Sequence, residues 1–233
     1  PVYIVRYQGF QWFNAAMIVN YAAKSKALWG VPCPLLVRSI AMEGGIGPVA
    51  GSSHHALYYR MPGVKIYAPM TPGEWRAAYE DFMTGDDVVY LSEHRGAFGN
   101  ADELPYEHGA ADVLLFPISI TRFAAAKAAL ELRATGVRAY VSHIFRLKPP
   151  QQHSEEALRE LALCRLGVVI DDDYPDGVAK TIAHDLSVAT RARVLAMGLE
   201  ERTAGFAARV DNLPPDAERI VQFVRAAFQE TIL

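Results

Sequence analysis

Two adjacent histidines, His54 and His55, close a glycine-rich stretch, EGGIGPVAGSSHH, at residues 43–55. Imidazole is the side chain that exchanges protons near neutral pH, so the pair is a candidate for proton transfer at a reacting carbon. A second role stays open, that of a helix-start pair facing solvent or a neighbouring subunit. Metal ligation has less behind it. Successive residues on a helix project about 100° apart, and no carboxylate or cysteine follows at ligand spacing. The glycines suggest a nest of backbone amides for phosphate, yet neither GxGxxG nor GxxxxGK[ST] is present. Close approach of a cofactor or of another chain is the better use for them. Further candidates are His94 and Arg95 after the run VVYLS, His143 and Arg146 after another strand pattern, and the acidic run at 171–173. The first pair sits where a parallel strand ends, the usual ligand edge of such sheets, and the acidic run reads as a solvated loop, with a monovalent-cation or dimer contact as the alternative.

The elements that position these groups alternate regularly. Val2 to Tyr7 is β-branched and aromatic, hence strand, and residues 11–28 (QWFNAAMIVNYAAKSKAL) carry apolar side chains at helical spacing before Gly30. PLLVR at 34–38 is strand, residues 54–60 a short helix, and 64–67 a strand. Thr71 caps a helix opened by Pro72, and 87–91 is another strand. After a polar, turn-rich stretch the alternation resumes. DVLLFPIS, VRAYVSHI, GVVIDDD and ARVLAMG read as strands. Helices are predicted at TRFAAAKAALELRATG, SEEALRELALC with a capping box at Ser154, VAKTIAHDLS, and DAERIVQFVRAAFQETI. Short connections between alternating strands and helices predict an α/β fold, with mostly parallel sheets covered by helices. Two domains are expected, 1–98 and 107–233, joined by a linker at 99–106.

Composition narrows the function classes. Charged residues are 21% and hydrophobic ones 51%, an ordinary globular balance, and a net charge of −3 without a basic block gives nucleic acid no footprint. No run of about 18 apolar residues exists to span a membrane, and there is no signal peptide. The two cysteines, Cys33 and Cys164, match neither a metal spacing nor a disulfide framework, which fits a reducing cytoplasm. Pro1 enters a strand pattern without a lead-in, so residues preceding it are expected.

The phrase PGVKIYAPMTPGEWRAAYEDFM, followed by DDVVYLSEH, resembles the β chain of the thiamine-diphosphate-dependent decarboxylase component of 2-oxoacid dehydrogenase complexes, which includes the pyruvate dehydrogenase β subunit. PVYIVRYQGFQWFNAAMIVNYAAK, AYVSHIFRLKPP and VVIDDDYPDGVAKTIAHDL are similar to further segments of that family, in the same order. Transketolase and deoxyxylulose phosphate synthase share the pattern. The resemblance implies a pyrimidine-binding domain of the thiamine-diphosphate-binding fold, lacking its N-terminal part, and then a transketolase C-terminal domain. It also implies a subunit of an oxidoreductase or a transferase. The cofactor would be thiamine diphosphate with Mg²⁺, held mainly by an α-like partner chain, because no GDG motif occurs here. The assembly would be a heterotetramer, α2β2, with this chain self-associating as a dimer.

By the same resemblance Phe10 coincides with the aromatic that stacks on the cofactor's pyrimidine, and Arg6, Tyr7 and Gln8 line that segment in place of the family's Met-Thr-Phe. Arg6 would meet a substrate carboxylate or phosphate, or else form a structural salt bridge. The family's glutamate that contacts the pyrimidine ring falls before Pro1. Ala50 stands where the family keeps a catalytic histidine, which leaves His54 or His55 as displaced substitutes. The reaction implied is decarboxylation of a 2-oxo acid, or two-carbon or acyl transfer from a ketose. A non-catalytic assembly subunit is the alternative, and a standalone protein that binds a phosphorylated metabolite is a third reading.

Overall fold

The computed structural model describes residues 1–43, 46, 51, 53–107, 109–207, 209 and 211–230. In chain order the elements are β1 (Val2–Arg6), a 3-10 turn (Gln8–Phe13), a π-helical turn (Met17–Ala22), α1 (Ala23–Trp29), β2 (Leu35–Ala41), α2 (His55–Tyr59), β3 (Val64–Tyr67), α3 (Pro72–Thr84), β4 (Val88–His94), β5 (Val113–Pro117), α4 (Thr121–Ala134), β6 (Ala139–Val141), β7 (Arg146–Lys148), α5 (Glu155–Leu163), β8 (Leu166–Ile170), α6 (Val178–Thr190), β9 (Val194–Met197) and α7 (Ala217–Gln229). No helix among the described residues is long and apolar enough to cross a membrane.

The chain forms two compact units. The first comprises 1–103, 145–151 and 202–213; the second comprises 104–144, 152–201 and 214–233. The first holds a sheet of order β1-β2-β4-β3-β7, parallel except for β7, which runs antiparallel to β3. Arg146, expected at the end of a strand in the later part of the chain, therefore lies in the first unit, opposite Tyr67. The segment 145–151 leaves the second sheet because Phe145 packs with the α3 cluster and its carbonyl accepts from Ala68 N.

β4 is the centre of the first sheet, and all seven of its residues are buried. Alternation divides them. Val89 and Leu91 join Leu36, Tyr67 and Ala78 in a core closed by Trp75, Tyr79 and Phe82 of α3. Tyr90 and Ser92 point to the opposite face. α3 begins where expected: Thr71 Oγ1 accepts from Glu74 N, Pro72 takes the first helical position, and Glu74 Oε2 accepts from Met70 N at 2.9 Å.

The second unit carries an all-parallel sheet, β6-β5-β8-β9. β5 and β8 are buried throughout, as strands covered on both faces must be. Its core packs Val113, Leu115, Val168 and Ile170 against α4 and α7, whose buried sides carry Ala125, Ala129, Leu132, Ile220 and Val224. Ser154 caps α5 by accepting from Ala157 N, and Asp216 caps α7 through Arg219 N.

Residues 11–28 do not form one helix. The first turn is tightened to 3-10 geometry, with Phe10 N bonding to Tyr7 O and Asn14 N to Gln11 O, and the π turn follows. The helical apolar spacing was present, but the side chains of Gln8 and Gln11 are drawn into the buried face of the sheet. α1 ends at Gly30 in the left-handed region, φ +69°, in open space. Gly63, φ +78°, opens β3 where a Cβ would lie 2.0 Å from the carbonyl oxygen of Ala23. Gly63→Ala is therefore expected to destabilise the chain by more than about 2 kcal/mol, against about 1 kcal/mol for Gly30→Ala, where only the positive φ opposes a side chain. Urea titration of the two variants measures the difference.

Candidate functional site

The polar residues on the inner face of β4 and β2 form one hydrogen-bonded cluster under the 3-10 turn. Gln8 Nε2 donates to Ser39 O at 3.0 Å and to Ser92 Oγ at 2.9 Å. Gln8 Oε1 accepts from the backbone N–H of His54 at 2.6 Å and from the Tyr90 hydroxyl at 3.2 Å. Gln11 Oε1 accepts from Ser39 Oγ at 2.8 Å and from Tyr90 at 2.6 Å. Ser92 Oγ, which accepts from Gln8, is also hydrogen-bonded to His55 Nδ1 at 3.0 Å. Tyr58 of α2 stacks on Tyr90 with ring centroids 4.6 Å apart. Gln8, Gln11, Ser39, Ser92 and His55 are all completely buried.

Three buried polar atoms of this cluster have no hydrogen-bond partner among the described residues: Gln11 Nε2, His54 Nε2 and the Tyr58 hydroxyl. Such groups are rare in folded proteins, because each forfeits its hydration without compensation. His54 lies edge-on to Trp12, with ring centroids 6.3 Å apart, and its ring bonds to the backbone of Gly51. That bond belongs to Nδ1, since Nε2 is unpartnered, and a carbonyl acceptor there fixes the Nδ1–H tautomer. Nε2 then offers a lone pair. Burial, with His55 adding to it, lowers His54 from its ordinary 6.5 to about 4, so the ring is neutral at physiological pH. Burial raises the Tyr58 hydroxyl, which stays protonated.

The residues expected to face a cofactor divide into two groups. Phe10 is 44% exposed on the 3-10 turn, and Tyr7 lies 6.5 Å from it between ring centroids, at a positive φ of 77°. Arg6 is exposed, has no carboxylate partner among the described residues, and places its guanidinium 5.7 Å from the centre of the Tyr7 ring. Gln8 points the other way, and both ends of its amide are engaged within the protein. His54 stands before the first turn of α2 and His55 begins it. Most of the glycine-rich loop, with Ala50, lies outside the described residues.

The remaining candidates are structural. His94 Nδ1 accepts from Gly96 N at 3.1 Å, and its Nε2 lies 2.5 Å from Glu43 Oε2. Arg95 Nη1 reaches Met42 Sδ at 3.7 Å. His143 is held neutral, lowered to about 3 by burial and then by Arg122. In the acidic run Asp172 accepts from Ser119 Oγ at 2.8 Å, and Asp173 from Tyr174 N at 2.7 Å. All three aspartates are buried, which excludes a solvated loop. The sequence reading passed over Gln11, Ser39, Tyr90, Ser92, Tyr58 and Trp12. The one available signal was Ser92 within the apolar run VVYLSEH, a polar residue on a central strand.

With the geometry in hand the likeness to known proteins can be stated. The chain is similar to a solved structure described as a split-gene transketolase, inactive β4 tetramer, at a TM-score of 0.74. The match covers 98% of this chain and 76% of that one, at 19% sequence identity. The fold is transketolase-like. No protein-family model matches the sequence, and no curated protein does.

Two measurements test this site. Gln8→Leu strands the donors and acceptors of Ser39, Ser92, Tyr90 and His54, and is expected to cost about 2–4 kcal/mol in urea unfolding. The pH dependence follows from His54 and His143. Their folded values lie below the unfolded 6.5, so the folded state binds fewer protons than the unfolded state. Their stabilisation is complete above about pH 6.5 and is lost as pH falls toward 4. Imidazole resonances should show His54 as the neutral Nδ1–H form at pH 6, and His54→Gln should flatten the stability profile between pH 6.5 and 4.

Proposed function

We propose that this chain is the β-type subunit of a thiamine-diphosphate-dependent enzyme acting on a 2-oxo acid or a ketose, by decarboxylation or by two-carbon or acyl transfer. Its site is completed by an α-like chain that carries the diphosphate-binding domain and Mg²⁺, in a cytoplasmic α2β2 assembly. The observation behind this reading is the group of three buried polar atoms without a hydrogen-bond partner among the described residues, Gln11 Nε2, His54 Nε2 and Tyr58 Oη, in the network that Trp12 borders. The transketolase-like fold supports it.

The residues present fit the ring half of that cofactor. Phe10 offers a flat apolar face, and His54 Nε2 offers a neutral acceptor for an N–H or O–H group. They do not supply the GDG segment that holds a diphosphate and its metal, and in this reading the α-like chain carries that half. Thiamine diphosphate, when bound, supplies stabilisation of a carbanion. The chain's own part is to orient and to move protons. Gln8 fixes the backbone of His54, so Nε2 is held where it can accept a proton from a bound donor and return it. Trp12, edge-on to the His54 ring, helps keep water from that nitrogen, which strengthens hydrogen bonds made there. Arg6, without a carboxylate partner among the described residues, offers its guanidinium to a carboxylate or phosphate on the substrate. The 2-oxoacid dehydrogenase and transketolase alternatives differ in which of these two groups Arg6 meets.

A second reading, a non-catalytic assembly subunit, is favoured by Ala50 at the position of the family histidine. Reconstitution separates the two. The chain, co-purified with an α-type chain bearing a GDG motif, is supplied with Mg²⁺ and thiamine diphosphate and assayed on pyruvate and on xylulose 5-phosphate. One substrate is expected to turn over. Phe10→Ala should weaken cofactor binding about tenfold, and His54→Gln should lower kcat by about 10² or more at unchanged cofactor affinity. A complex that assembles but behaves identically with wild-type chain, Phe10→Ala and His54→Gln would establish the assembly role instead.

A further inference from the structure

The other face of β4 carries a cavity that the proposed chemistry does not use. Arg38 of β2 and Glu93 of β4 meet there side-on, Nε to Oε1 at 2.6 Å and Nη2 to Oε2 at 3.0 Å. Glu93 is fully buried, whereas the Arg38 side chain keeps 29% of its surface. What remains open is the outer edge of the guanidinium: Arg38 Nη1 has no partner among the described residues. Above it opens a cavity of about 380 Å³, lined by Arg38, Trp75, Tyr79 and Phe98, with Pro72 and Asn100 at its margin. Trp75 and Phe98 face each other at 6.2 Å with their planes inclined by 60°, and the guanidinium lies 5.9 Å from the Trp75 centroid.

The walls are fastened in advance. Asn100 Nδ2 donates to Met70 O at 2.9 Å and to Asp102 O at 2.7 Å, and Glu103 accepts from Gly73 N at 2.6 Å at the start of α3. The segment that carries Phe98 is thereby tied to the helix that carries Trp75. The position is the carboxyl edge of the parallel strands, where sheets of this kind take ligands. The volume lies within the range of small-molecule sites and suits one or two fused rings.

We infer that this cavity is a binding site for a planar aromatic or heteroaromatic ring bearing a carbonyl or carboxylate acceptor. The ring lies in the cavity against the tilted Trp75–Phe98 pair, and its acceptor meets Arg38 Nη1 and the Tyr79 hydroxyl, which no described hydrogen bond occupies. Glu93 already balances the charge of Arg38, so a full negative charge on the ligand is not required. For the same reason an anion without a ring has little to gain. The site is independent of the cofactor reading, since it shares no residue with the His54 network.

Benzamide, benzoate, cyclohexanecarboxamide and acetate are the probes, titrated into the full chain while the indole N–H resonances are followed. Trp12 and Trp29 serve as internal references for Trp75. Benzamide and benzoate should shift the Trp75 resonance saturably and compete with each other, and the two ring-free or non-planar probes should not. Trp75→Leu is followed through the Phe98 ring resonances instead, and it and Phe98→Ala should each weaken binding about tenfold. Arg38→Lys, which preserves a charge partner for Glu93, should weaken binding while the thermal midpoint stays near that of the wild type. Tyr79→Phe repeats that test without touching the ion pair. Absence of saturable binding by both aromatic probes overturns the inference. So does binding that survives Trp75→Leu and Arg38→Lys unchanged, or acetate binding as strongly as benzoate.

Discussion

One side-chain amide holds the first unit's polar interior together. Gln8 reaches a strand carbonyl on β2, a hydroxyl on β4, the phenol of Tyr90 and the backbone N–H of His54. An amide has two donors and two lone pairs of acceptor capacity; here both donors are committed, and the oxygen accepts from His54 N and shares the Tyr90 proton with Gln11. The consequence runs outward in both directions. The 3-10 turn cannot relax into a regular helix without withdrawing that amide, so the aromatic residues of the turn stay on its outer side. At the other end, the start of α2 is pinned, and with it the tautomer and aim of His54.

β4 sits between two different chemistries because its side chains alternate. On the α3 side Val89 and Leu91 continue into Glu93, which is buried and therefore requires Arg38 to balance it. On the other side Tyr90 and Ser92 feed the amide network, with His55 closing it. Burial alone would raise Glu93; the guanidinium opposes that shift. Neutral polar groups suffice on the opposite face, where a tight hydrogen-bond network replaces charge. A strand that was only apolar would have supported the sheet but presented nothing at its carboxyl end.

The second unit repeats the arrangement with charge instead of amides. Ser119, at a positive φ of 53°, donates to Asp172 at the end of β8. Parallel strands bring their carboxyl ends to one edge, so polar residues placed after β5, β6 and β8 collect there by topology. Fold and function remain separate inferences in this protein. A transketolase-like fold places residues; what they do depends on which atoms are left without partners.

Periodicity alone was enough for the α/β class, the parallel sheets and nearly every helix and strand, because burial on two faces imposes continuous apolar runs and short crossovers impose parallel pairing. Caps at Thr71 and Ser154 were equally legible, since they are local hydrogen bonds within three residues. The failures share a physical cause. Residues 11–28 have helical spacing, yet side-chain demands from strands 28 to 84 positions away reshaped their first turn. Phe145 to Gln151 follow β6 directly and still join the other sheet, because an antiparallel partner was available on β3. His54 and His55 were visible as chemistry-bearing residues, but their spacing held no information about which nitrogen each would expose. That was decided by Gln8, Ser92 and Gly51, three groups that only the tertiary structure brings beside them, and by burial, which only the tertiary structure provides.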